Sequence, residues 1–508
     1  MHGCHIVRKR RLAILLVGAA FFWLTAAAAT TQDLFSLRQN APMPERSMPD
    51  LRRLPPSKKR EEDYLNKPYS GSVNFPRDLS PLAKKIYDAV LKAARKRPKL
   101  STVHVDDIAT AGEVTEVAVS LTSGPKDKVC QDIYANTILR AKEEVLIQTY
   151  FYAPKKKHGS ESSPETKPIR VILTVDSQSL IVYGSNLNKN AFYMSTTWNE
   201  LPPSAYFDMS RLKGLDVRIF LFHNYPLGSI HSKNIIVDGQ WSCIGSKNLD
   251  NEGTQELGIQ MYGPVSRVMR RDFFRLLKGY KVPEVELRTP EPVKEMGMAP
   301  MIVVGKAAQR GIPGFNSFDS PQNVAWKTVF EKAEKKVFIL TPNFNVPEFF
   351  KAAIDMVKRG KAFTLVVSRK MLNFGQHLSK AAGSKGTNHE VANQFYDYID
   401  AHPEVAERVK VLYFSPKDEV VEDRNVTEEE RMRKKKAENS SHVKLMIADG
   451  KLLIVGSGNM DQQSAYYSQE FNLVIDDGVV TENVRRALKE EMRKEDVSFK
   501  PTNVRKGN

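Results

Sequence analysis

The residues able to do chemistry fall into one pattern that occurs twice. His231, Lys233, Asp238, Gly245, Ser246 and Asn248 make the first copy, and His442, Lys444, Asp449, Gly456, Ser457 and Asn459 repeat it with the same spacing. The intervening residues are apolar or turn-forming in both copies but differ in identity, which marks an internal duplication. Imidazole, ammonium, hydroxyl and carboxamide brought to one place suit a phosphate group. They offer one nucleophile or acid, one fixed cation and two neutral donors.

The spacing also predicts how the chain positions these groups. A His and a Lys two residues apart share one face of a strand, and the apolar residues that follow extend it. Asp238-Gly239 and Asp449-Gly450 are tight-hairpin signals. A second apolar strand then returns and ends in Gly-Ser, where the backbone turns sharply. The Ser and Asn thus arrive on a loop beside the strand that carries His and Lys.

With both copies matching His-x-Lys-x4-Asp followed by x6-Gly-Ser-x-Asn, the sequence resembles the phospholipase D superfamily over residues 116–492. Residues 120–154 resemble the opening unit of cardiolipin synthases and related phospholipases D. The resemblance implies an α/β fold of two pseudo-symmetric α/β/α sandwich halves that share one active site at their interface. It implies His231 as nucleophile, forming a phosphohistidine, and His442 as the acid for the leaving alcohol. Lys233, Lys444, Asn248 and Asn459 would bind the phosphoryl oxygens, while Ser246 and Ser457 would either bind phosphate or support the loop. An imidazole nucleophile needs an acceptor on its other nitrogen. Family resemblance gives that role to Glu256 and Glu470, which begin the strand after each motif. Asp238 and Asp449 complete the catalytic signature, although a hairpin tip speaks for a structural role. Tyr150, Phe151, Tyr152 and His223 are further pocket candidates against an ordinary core or loop role, and His377 and His389 fall in a Gly/Ser-rich stretch.

The remainder of the chain sets the context. Lys+Arg number 76 against 59 Asp+Glu, a net charge of +17, in a chain of 508 residues. The surplus suits phosphate-bearing partners, a phospholipid substrate at a membrane surface or a nucleic acid. Residues 1–30 join a basic flank to an uncharged apolar run and read as a cleaved signal peptide or a signal anchor. Either one places the catalytic region in a secretory or periplasmic space, membrane-associated or secreted. Residues 31–79 read as a proline-rich stalk, 80–115 as a helical extension, and 116–282 as the first half. Residues 283–300 read as a linker, 301–498 as the second half, and 499–508 as a tail. Strands alternating with helices in both halves argue for a mainly parallel sheet. A dense charge run at 415–441 interrupts the second half and carries the sequons at Asn425 and Asn439. Of the three cysteines, only Cys130 and Cys243 have the option of pairing outside the cytosol, and two buried thiols are the alternative.

No cofactor is implied, and no His/Cys/Asp spacing of a metal site occurs, so lysines supply the cations. Turnover is therefore expected to survive strong chelators. Loss of activity in chelator with rescue by a divalent ion is the outcome that contradicts this.

Overall fold

The computed structural model describes residues 75–121, 127–150, 168–176, 199–205, 207, 214–222, 228–249, 254–277, 298–309, 316–368, 383–416, 440–494 and 497–501. The apolar run, nearly all of the stalk, most of the linker, most of the charged insert with both sequons, Phe151, Tyr152, His223 and His377 lie outside the described residues. Among the described residues no helix is long and apolar enough to cross a membrane.

In chain order the first strands are β1 (Ala109–Ser120), β2 (Glu144–Thr149), β3 (Ile169–Asp176), β4 (Asn199–Leu201), β5 (Leu215–Phe222), β6 (Asn234–Val237), β7 (Trp241–Gly245) and β8 (Glu256–Tyr262). Then follow β9 (Ala299–Lys306), β10 (Lys336–Thr341), β11 (Ala362–Ser368), β12 (Val409–Pro416), β13 (Leu445–Ala448), β14 (Leu452–Gly456), β15 (Glu470–Ile475) and β16 (Val497–Pro501). They form one 16-stranded sheet in the order β16-β12-β11-β10-β13-β14-β15-β9-β1-β8-β7-β6-β2-β3-β5-β4. Read inward from β12 on one side and β5 on the other, the same sequence of equivalent strands appears, and only the edge strands β16 and β4 come from different places in the repeat. The duplication is therefore a pseudo-twofold repeat, and its centre is the β9/β1 pair.

That centre corrects the expected boundary of the extension. A helix, Pro81–Lys96, does occupy its start. Its end is the first part of β1, which pairs antiparallel with β9 from Ala109↔Ile302 to Gly112↔Ala299. The same strand goes on to pair with β8 from Glu113↔Tyr262 to Ser120↔Glu256. One strand thus sews the two half-sheets together. The tail is corrected likewise, because β16 reaches into it and pairs with β12 up to Leu412↔Pro501.

The sheet is mixed rather than mainly parallel. β2-β3-β5 and β10-β11-β12 run parallel. In the second half the crossovers carry helices Pro347–Lys358 and Asn388–Ala401. The motif strands are joined by three-residue hairpins, and such short links permit only antiparallel pairing. β9, β13, β14 and β15 are buried at every position, which is why apolar residues dominate them, with Lys306, Glu470 and Asn472 as polar exceptions.

The Pro81–Lys96 helix starts at Ser80, whose Oγ accepts from the Ala83 N–H. Ala83, Ile86, Val90, Ala93 and Ala94 form its buried face. Asp476 on the second half accepts from both the Ser80 N–H and hydroxyl at 2.7 Å. Between β1 and β2 lie a π-helical segment, Val129–Ala135, and one α turn, Asn136–Ile138.

Both hairpin aspartates take positive φ, 51° at Asp238 and 53° at Asp449, each followed by a positive-φ glycine. This is the backbone of a type I′ turn. Their carboxylates point along the sheet, away from the histidine end of the hairpin. Asp238 accepts from the N–H groups of Lys142, Glu143 and Glu144 at 2.7–2.9 Å. Asp449 does the same for Glu334, Lys335 and Lys336 at 2.7–2.9 Å. Each clamps the start of the neighbouring strand, β2 or β10, which supports the structural role for Asp238 and Asp449. Asp449→Ala is expected to cost about 1–3 kcal/mol in chemical denaturation while kcat below the melting range is retained. A loss of kcat without a loss of stability contradicts the assignment.

Candidate active site

Neither motif histidine lies within a strand of the sheet, contrary to the reading from spacing. β6 begins at Asn234 and β13 at Leu445. The preceding residues instead exchange backbone hydrogen bonds with the opposite half. His231 N–H donates to the Gln469 carbonyl at 2.9 Å, and Gln469 N–H to Ser229 at 2.7 Å. His442 N–H donates to the Gln255 carbonyl at 2.8 Å, and Gln255 N–H to Ser440 at 3.0 Å. Each histidine is therefore mounted on the other half's chain.

The side chains cross over as well. His231 Nδ1 meets the two carboxylate oxygens of Glu470 at 2.9 and 3.0 Å. His442 Nδ1 meets Glu256 Oε1 at 3.0 Å. Each glutamate starts the strand after its own motif but orients the histidine of the other. With Nδ1 held by a carboxylate, Nε2 is the nitrogen left to react. The histidine side chains keep only 12% and 16% exposure, against 0% and 4% for Glu470 and Glu256.

The motif serines hold these carboxylates. Ser457 Oγ donates to Glu470 at 2.6 Å and accepts from the Phe471 N–H at 3.0 Å. Ser246 Oγ donates to Glu256 and accepts from the Leu257 N–H at 2.9 Å. This selects support over phosphate binding for Ser246 and Ser457. The motif glycines are required by close approach rather than by a turn. A Cβ at Gly245 or Gly456 would collide with the carbonyl of Leu257 or Phe471. A second hydroxyl completes each glutamate: Thr254 on Glu256 at 2.7 Å and Ser464 on Glu470 at 2.6 Å. Sequence reasoning missed these hydroxyls and the two glutamines. The paired spellings Gln255-Glu256 and Gln469-Glu470 were the signal that would have found the latter.

Lys233 and Lys444 are 1% and 3% exposed, and each Nζ donates to the carbonyl of its own histidine. An ammonium carries three donors, which suits it to an anion as well as to a carbonyl. Asn248 and Asn459 are buried, and their Oδ1 atoms have no hydrogen-bond partner among the described residues. Rotating the amide presents N–H to an oxyanion instead. Asn459 Nδ2 donates to Asp461, a buried carboxyl that its burial holds above the usual range. The Tyr150 ring stands edge-on to His231 with centroids 5.2 Å apart, and Lys233 Nζ lies 5.7 Å from the same ring. His389 is exposed on the Asn388–Ala401 helix. Cys130 and Cys243 are both free thiols. Among the described residues no group of three or more His, Cys, Asp or Glu is placed to hold a metal.

Burial, then the Lys444 charge, push His442 down to about 4 against the pull of Glu256. Burial likewise lowers His231, with Glu470 opposing and Lys233 adding to the fall. Burial works to raise Glu256, but His442, Lys444 and Lys247 hold it at about 2. Burial drives Lys444 well below the ordinary lysine range, against Glu256 and with Lys233. The resting state is therefore a neutral imidazole donating from Nδ1 to an ionised glutamate, with the Nε2 lone pair exposed. A phosphodiester anion seated between the lysines would offset their field and let one imidazole take a proton. The arrangement can support nucleophilic attack by one histidine and proton donation by the other.

Fold and site together define a two-copy α/β protein with a shared His/Lys/Glu centre of the phospholipase D kind. The family model described as cardiolipin synthase, PLD-like domain matches residues 134–273 and 327–492. The chain belongs to this phospholipase D-like family. The minor cardiolipin synthase ClsB of Bacillus subtilis is 38% identical over 56 residues, 11% of this chain and 14% of that protein. The matched stretch thus spans about a seventh of that relative's length. Phosphatidylserine synthase of Haemophilus influenzae aligns over 80% of this chain and 91% of its own, with 11% identity and a TM-score of 0.45. The phospholipase D family member Nuc of Salmonella typhimurium aligns over 36% of this chain and 91% of its own, with 16% identity and a TM-score of 0.24.

The pH dependence of stability follows from the depressed values. Unfolded histidine titrates near 6.5, so the unfolded chain gains a proton first as pH falls, while folded His442 stays neutral to about 4. Stability from this site is whole above 6.5 and drains as pH falls toward 4. Glu256 adds a second loss from its unfolded value of 4.5 down to about 2. Denaturation midpoints are expected to fall by a few kcal/mol equivalent between pH 7 and 4. His442→Asn, which still donates to Glu256 but does not titrate, should flatten the upper part of that curve. An unchanged slope in this variant would remove His442 as the source.

Proposed function

We propose that the protein is a phospholipase D-type phosphodiesterase of glycerophospholipids, hydrolysing them or transferring the phosphatidyl group to an alcohol. The observation that carries the reading is the crossed pair of histidine–glutamate hydrogen bonds around two buried lysines. His231 Nε2 attacks phosphorus, the P–N bond forms and the P–O ester bond to the head group breaks. His442 donates its proton to the departing alkoxide. Lys233, Lys444, Asn248 and Asn459 hold the phosphoryl oxygens as charge builds on them. Glu470 keeps the Nδ1 proton of His231 in place and stabilises the cation that forms on it, and Glu256 does the same for His442. Neutral His442 then takes a proton from water or an acceptor alcohol, which attacks phosphorus and releases His231. The cardiolipin synthase family model and the matched stretch of the Bacillus enzyme support lipid as substrate class. The apolar run at residues 12–29 supports work at a membrane, on the far side from a cytoplasmic N-terminus if it stays anchored.

The test is product identity from labelled phosphatidylglycerol and phosphatidylcholine with and without a short primary alcohol. Phosphatidic acid alone is expected in water, and a phosphatidyl-alcohol in its presence. His231→Ala and His442→Ala should each lower turnover more than about a hundredfold with folding intact. If no phospholipid is consumed while single-stranded nucleic acid is cut in a His231-dependent way, the lipid reading is wrong.

A further inference from the structure

The circuits around the two histidines are duplicated in nearly every part, and the largest break in the duplication is a buried lysine. In the sheet register Lys306 of β9 lies opposite Glu470. The equivalent position on β1, opposite Glu256, is Ser120. Lys306 has no exposed surface, and its Nζ donates to the Ser468 carbonyl at 2.6 Å. Residues 468–470 are the segment on which His231 is mounted. The Gln469 carbonyl accepts the His231 N–H, and the Gln469 N–H returns to Ser229. Ser468 Oγ shares a 2.8 Å hydrogen bond with Ser229 Oγ. Glu470 then holds the imidazole itself. The ammonium therefore grips the frame of His231 one residue before the first of these bonds.

The opposite frame is built otherwise. Thr254, the counterpart of Ser468, spends its hydroxyl on Glu256 directly. On the second half that duty falls to Ser464, four residues before Ser468 in the same β14–β15 connection. A serine at the equivalent of Lys306 leaves no lysine at the matching strand position, and a cation near Glu256 is Lys247 of the motif loop, paired with Asp127. Burying an ammonium is costly unless it is hydrogen-bonded and faces an opposite charge. Burial pushes the Lys306 amine down to about 7, against the pull of Glu470. A lysine kept at such a site, where a serine suffices in the other half, points to a use for its donor strength at this one carbonyl.

We propose that Lys306 is a positioning residue for His231: it fixes residues 468–470, and through them the orientation and tautomer of that imidazole, while the matching strand position on the His442 side holds Ser120. The two histidines are then inequivalent before any substrate arrives. The inference rests on the reading of His231 as a reacting group, but its first readout needs no turnover.

The experiment uses the full chain labelled with 15N-histidine, the two resonance sets being assigned with His231→Asn and His442→Asn. Lys306→Met is expected to shift or broaden the His231 ring nitrogens and move their titration, leaving those of His442 in place. In the phospholipid assay it should lower kcat about ten- to hundredfold with KM unchanged, the usual effect of a misaligned reacting group. Should Lys306→Met not fold, Lys306→Gln, which keeps a neutral donor, is measured in its place and should move His231 alone. Equal movement of both histidines, or of neither, overturns the proposal. A His231-specific shift in a protein that consumes no phospholipid leaves the positioning role standing and removes the lipid reading instead.

Discussion

Everything in the site depends on two hydrogen bonds that cross between the halves, His231 to Glu470 and His442 to Glu256. A buried carboxylate is tolerable only when its lone pairs are filled. Each glutamate meets that condition with two hydroxyls of its own half and one imidazole of the other. Neither half can satisfy its glutamate alone. The duplication is thus an obligate pair in which each copy supplies a histidine and the means to aim its partner's.

The sheet makes that exchange rigid. β1 pairs with β8 along one stretch and with β9 along the other, so the two half-sheets share one strand and one twist. The crossed backbone bonds at Gln255 and Gln469 fix the loops above this seam. Burial first, and then the charge of the buried lysines, depress both imidazoles, against the pull of the glutamates. On the proposed function, phosphate binding and proton supply would be coupled through the same charges.

Symmetry of this kind gives two chemically equal bases, whereas phosphoryl transfer needs one to attack and one to protonate. The breaks in the repeat lie close to the site. Lys306 replaces a serine beside Glu470, Lys247 replaces a glycine of the second motif, and Tyr150 stands against His231 where the other half has Pro342 at the strand end. These are the places where the two histidines acquire different surroundings.

The chemistry was legible in the sequence because the duplicated motif is local. His, Lys, Asp, Gly, Ser and Asn sit on one hairpin, and hairpin spacing is set by the chain itself. The α/β class and the apolar strands followed from the same short-range periodicity, and Asp at the tip was readable as turn chemistry. Only the tertiary structure decided which glutamate serves which histidine, because that choice joins residues 239 and 186 positions apart. It also gave the serine hydroxyls to the carboxylates, mounted the histidines on the opposing half, and made β1 a seam between the half-sheets. Lys306 had no motif to betray it. A buried lysine and a buried apolar strand residue look alike in periodicity, and only the register of β9 against β15 places its ammonium under the His231 frame.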